Sequence, residues 1–119
     1  MRDNNIKKLT FQFAVKIITL YKKLANEKKE YVISKQILRS GTSIGANYRE
    51  ADNAVSKADF VHKLSISQKE ADETLYWLEL LHETKYIDQK YYDELHNEAE
   101  IILKIIKTII INTKKNMKR

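Results

Sequence analysis

The chain contains no cysteine, no proline and only two glycines in 119 residues. Without cysteine there is neither a disulfide scaffold nor a thiolate metal site, and a reducing compartment suits the chain. Without proline, and with glycine this scarce, the tight turns that a sheet protein of this length requires have few residues to build them. Apolar runs are short: IILKIIKTIII, from Ile101 to Ile111, is broken by Lys104 and Lys107 and falls below the ~20 residues of a membrane span. The opening MRDNNIKKLTF has no apolar core followed by small residues, so no signal peptide is visible and a cytoplasmic location is expected. No glycine-rich phosphate loop is present. Arg39 and Arg49 lack the histidine five to seven residues downstream that helical-bundle ribonucleases often carry. An enzyme is not expected, nor is a cofactor.

What is present is helical periodicity in four segments. The first spans about 9–26, with Phe13, Ile17, Leu20 and Leu24 on one stripe and Phe11, Ala14, Ile18 and Tyr21 on a second. The next covers about 32–54, through Ile33, Ile37, Ile44, Tyr48 and Ala51. A third, about 57–84, follows Ser56, whose S-K-A-D pattern suits an N-cap. A fourth, about 89–113, follows Asp88 and carries Leu95, Ala99, Ile102 and Ile106. The connections are short, which makes successive helices antiparallel. The expectation is an all-α protein of one domain, an up-down-up-down antiparallel four-helix bundle. Ile101, Leu103 and Ile105 lie off the main stripe of the last segment, and an apolar arc this wide predicts a second partner surface.

Charge is unevenly spread. The net charge is +6, yet from Glu70 to Glu100 ten acids face only Lys85 and Lys90. Up-down topology brings Lys7 and Lys8 beside Lys107, Lys114, Lys115, Lys118 and Arg119, a cluster that could contact RNA or DNA phosphates without sequence preference. The acidic hairpin falls at the other end. Tyr21, Tyr31, Tyr86, Tyr91 and Tyr92 could stack on bases if exposed.

The middle of the chain holds the most specific pattern. Arg39, Ser43, Asn47 and Glu50 recur at four, four and three residues and therefore line one helix face. They form either a ligand or RNA contact, or a polar seam in which Ser43 bonds its own helix, Asn47 bridges helices and Arg39 pairs with an acid on the third helix. Gly41 and Gly45 have the small-x-x-x-small spacing of close helix approach, against Trp77 or another bulky side chain. Glu79-x-x-His82 and Asp93-x-x-His96 have the spacing of di-iron helices, but they sit toward the hairpin's end and the first helix offers no mid-helix carboxylate; no metal site is expected.

The stretch YVISKQILRSGTSIGANYREA resembles the second-helix signature of the 23S rRNA-intervening sequence protein family, carried here by Gln36, Arg39, Ser43, Ile44, Asn47 and Glu50. DFVHKLSISQKEADETLYWLELL looks like that family's next block, through Phe60, Leu64, Glu70, Glu73, Trp77 and Leu78. The resemblance implies a bundle that closes into a ring, a homopentamer. It also extends to the accessory variability determinant of diversity-generating retroelements, which binds nucleic acid and a reverse transcriptase. Two functions follow as expectations: a self-assembling adaptor whose basic surface binds RNA or DNA, or a purely protein-binding scaffold.

Overall fold

A computed structural model describes residues 2–117 of the chain, with side chains from residue 5 onward. Four α-helices fill it: α1 (Arg2–Asn26), α2 (Ile33–Asp52), α3 (Lys57–Glu83) and α4 (Gln89–Met117). Each packs antiparallel against the next, and α4 returns to α1, in a rod of 52 × 22 × 22 Å. The expected four-helix bundle is the observed fold. The α2–α3 seam is the most extensive and the α1–α4 seam the most open.

One core runs the length of the rod. Ile6, Phe13, Ile17, Leu20 and Leu24 from α1 meet Ile37, Ile44 and Tyr48 from α2. Leu64, Ala71, Leu78 and Leu81 from α3 and Leu95, Ala99, Ile102 and Ile106 from α4 complete it. Because Ile6 is fully buried, α1 starts at Arg2, well ahead of the first apolar repeat near Leu9. A polar first turn carries no periodicity of its own, so that start is invisible in the pattern. At the far end α4 continues to Met117, past the expected residue 113.

The two glycines explain how α2 sits. A Cβ at Gly41 would lie 2.8 and 2.9 Å from the two γ-carbons of Ile17, and one at Gly45 would lie 3.1 Å from Thr10 Oγ1. The close neighbour is therefore α1, not Trp77, whose indole instead packs edge-on to Tyr76 at 5.1 Å and reaches Glu73. On its other side α2 meets α3 through small hydroxyls. Ser67 donates to the carbonyl of Ile44 at 2.7 Å, and the hydroxyls of Ser40 and Thr74 lie 2.9 Å apart, all fully buried. A buried polar atom left unpaired is costly, so these bonds favour one α2–α3 register.

Helix ends are set by side chains and by two left-handed residues. Ser56 accepts from the N–H of Asp59, and Asp88 from the N–H of Tyr91 at 2.8 Å. The start of α2 uses a device that the sequence pattern did not disclose. The buried carboxylate of Glu30 accepts from the N–H groups of Val32, Ile33 and Ser34 at 3.2, 3.0 and 2.7 Å. Negative charge there also suits the positive end of the helix dipole. Glu30→Ala is expected to lower stability by about 1–2 kcal/mol in urea unfolding, the cost of losing a helix cap; an unchanged midpoint would show that solvent serves those N–H groups equally well. Lys29 and Lys85 carry positive φ, 57° and 67°, at the turns that end α1 and α3.

Candidate functional site

The signature residues run along the outer edge of the α2–α3 seam. Arg39 reaches both Glu70, at 3.4 Å, and Glu73. Three turns on, Glu50 pairs with Lys63 at 2.9 Å, and this contact raises the Lys63 pKa above the usual lysine value. Ser43 donates to the carbonyl of Arg39 on its own helix. Asn47 does likewise: its amide donates to the carbonyl of Ser43 at 2.8 Å rather than bridging helices. The bridging is done deeper, by Ser67, Ser40 and Thr74. The same α2 face thus offers two ionic clasps to α3, with Arg39 still half exposed.

The basic cluster is assembled by antiparallel packing. Lys7 and Lys8 stand on the first turns of α1, and Lys107, Lys114 and Lys115 on the last turns of α4; all five are exposed and none has an ion-pair partner among the described residues. Lys118 and Arg119, also expected here, lie outside the described residues. The fold adds members that linear spacing did not reveal, since they belong to the chain's middle. Arg49 ends α2 with its guanidinium over the ring of Phe11, 5.5 Å from the centroid, and Lys57 opens α3. A guanidinium above an exposed aromatic ring is a surface on which a base can stack.

The other pole is mixed rather than acidic. Glu79, Glu83, Asp93 and Glu94 on α3 and α4 share it with Lys22, Lys23, Lys28, Lys29 and Lys35 from α1, α2 and the turn between them. Part of that charge is internally neutralised: Lys16 bridges Glu98 at 2.7 Å and Glu94 at 3.1 Å, closing the open α1–α4 seam. Hydrogen bonding to Glu98, then to Glu94, raises the Lys16 pKa. This clasp is therefore present at neutral pH and is lost only as pH climbs through that raised value.

Tyr31, Tyr86, Tyr91 and Tyr92 also gather at this mixed pole, away from the Lys7–Lys114 cluster, whereas Phe11, beneath Arg49, is an exposed ring at the basic pole. The two histidine motifs are brought near each other, but Tyr92 stands between them. Its ring stacks on His82 at 4.3 Å and tilts against His96 at 4.9 Å. His96 faces Glu79 at 3.7 Å and Glu100 at 3.5 Å. No set of three or more metal-ligating side chains converges among the described residues.

Two apolar strips stay exposed. Phe11, Val15 and Ile18 form one on α1, and Ile101 and Ile111 mark another on α4. The off-stripe residues of α4 divide: Leu103 is buried, Ile105 packs half-buried against the core, and only Ile101 is open. Among the described residues no helix is long and apolar enough to cross a membrane.

Comparison with known proteins agrees with the fold and the signature. A family model described as 23S rRNA-intervening sequence protein matches residues 2–108. A solved structure of a protein of unknown function from the S23 ribosomal protein family of Bacteroides thetaiotaomicron is 56% identical, covering 92% of this chain and 98% of its own, with a TM-score of 0.91. No curated protein matches the chain.

Proposed function

We propose a function on the premise that this chain belongs to the 23S rRNA-intervening sequence protein family: it is a non-enzymatic, cytoplasmic bundle that assembles with itself and engages RNA or DNA through its basic pole. The observation that carries the nucleic-acid reading is the set of exposed, unpaired lysines at that pole, Lys7, Lys8, Lys107, Lys114 and Lys115, with Arg49 laid over Phe11 beside them. Phosphate attraction of this kind is independent of sequence and falls steeply with salt. Self-assembly is supported by the two apolar strips. They lie on different helices and differ in shape, which suits a head-to-tail contact whose repetition closes a ring. A homopentamer presents the basic pole five times, and multivalency turns a weak single contact into useful avidity.

The test is binding to a mixed-sequence single-stranded RNA across a salt series. Reversing Lys114 and Lys115 to glutamate together is expected to weaken binding at least tenfold at low salt for every sequence. The slope of log affinity against log salt should also fall by roughly 1.4, about 0.7 for each phosphate no longer neutralised. Unchanged affinity in the double variant would remove this pole as the contact.

A second reading is a scaffold that binds only protein. It is favoured by the tyrosines, most of which sit away from the basic pole, and by the openness of the Phe11–Val15–Ile18 strip. That scaffold would ignore RNA at every salt concentration.

A further inference from the structure

A cavity at the pole opposite the basic cluster has no part in the reading above. Its volume is about 690 Å³, within the usual range for small-molecule sites. Leu20, Leu24 and Ile87, all buried, form an apolar floor. Tyr86, Tyr91 and the ring of His82 stand as walls. Tyr91 is half-buried, and burial, then the charge of Glu94, raises its pKa, so its phenol stays neutral at physiological pH. One face of that ring is covered by the Lys23 ammonium, 5.3 Å from its centroid.

The rim is where charge is placed. Lys28 and Lys85 enter it from separate turns, and neither has an ion-pair partner among the described residues. The acids around it, Glu27, Glu83 and Asp88, equal the three lysines in number, but Asp88 is turned to the N–H of Tyr91 and none of the three pairs with Lys28 or Lys85. Lys85 is the more telling of the two. It ends α3 with φ of 67°, a left-handed position where a glycine would be free of the steric cost that a side chain brings. Lys29 ends α1 in the same way, so the conformation belongs to the helix-ending turn, and at Lys85 that turn stands at the lip of the cavity.

We propose that this cavity binds a small anion with a planar apolar body, an aryl phosphate or aryl carboxylate. The body lies on Leu20, Leu24 and Ile87 between the tyrosines, and the anionic group meets the ammonium groups of Lys28 and Lys85.

Methyl-resolved NMR of the full chain tests this with three probes: phenyl phosphate, phenylacetate and the uncharged phenylacetamide. Saturable shifts at the methyls of Leu20, Leu24 and Ile87 are expected from an anion and not from the amide; the tighter of the two anions identifies which charged group the site prefers. Lys85→Gly separates binding from folding. It is expected to raise the melting temperature, because the left-handed position is relieved, while weakening the anion about tenfold or more through loss of a charge-assisted hydrogen bond. No saturable shift from either anion, equal binding of the amide, or undiminished affinity in a more stable Lys85→Gly protein would each overturn the proposal.

Discussion

Gly41→Ala is expected to destabilise the bundle by about 1–2 kcal/mol, and Gly41→Val by roughly 3 kcal/mol or more, in urea unfolding at fixed protein concentration. The alanine methyl would lie 2.8 Å from an Ile17 γ-carbon and 3.2 Å from its Cβ, and Ile17 is fully buried. A β-branched side chain in a packed helix has one strongly preferred rotamer, so it cannot swing aside and the backbones must separate. Helix propensity works the other way: alanine regains up to about 1 kcal/mol over glycine, which is why its net loss is moderate. Valine adds two more carbons to the same space and forfeits that gain. For a chain of this size the valine variant should melt roughly 10 °C lower. Gly45→Ala is the internal control. Its nearest atom is the hydroxyl of Thr10 at 3.1 Å, a milder encroachment, so crowding and propensity should nearly cancel. Equal stability of Gly41→Val and the parent chain would mean that α1 and α2 can part without loss.

Val15→Glu is expected to lower the native mass while leaving helicity and unfolding midpoint at low concentration nearly unchanged. Val15 is 49% exposed and its neighbour Phe11 56%, so a carboxylate there is solvated in the single chain. Buried against a second copy it would be an unpaired charge in an apolar contact, at a cost of several kcal/mol. The dissociation constant of the assembly should rise by at least about a hundredfold on that basis. A glutamate at Ile105 would be a poorer probe, because that side chain packs against the core and a loss of mass could reflect unfolding. If Val15→Glu keeps the parent mass, the α1 strip is not the contact and Ile101 and Ile111 on α4 become the residues to replace.

How much of this is readable in the chain depends on the physics of each feature. Core stripes such as Phe13–Ile17–Leu20–Leu24 and the caps at Ser56 and Asp88 are local, and local patterns survive folding intact. Gly41 and Gly45 announce a close approach to Trp77 or another bulky side chain, but spacing alone does not say which neighbour makes it, and the structure places Ile17 and Thr10 of α1 there. The cap of Glu30 is hidden because the carboxylate reaches forward over residues that are not yet helical. Ile101, Leu103 and Ile105 look alike as off-stripe residues, yet a helix flanked by two neighbours covers the shoulders of its stripe unequally: Leu103 is buried, Ile105 half-buried and Ile101 open. Asn47 shares its face with the polar seam, yet its amide goes to the carbonyl of Ser43 one turn back on its own helix, a choice that spacing alone does not reveal. Arg49 escapes the basic cluster for a different reason: nothing in linear order places the end of α2 beside Phe11, whereas antiparallel packing does.

Native mass by light scattering, at low and high salt and with and without a mixed-sequence RNA, tests the central claim most directly. A stable five-chain mass that rises with RNA at low salt and not at high salt is the predicted result. A single-chain mass under every condition, or an assembly that ignores RNA even at low salt, would contradict it.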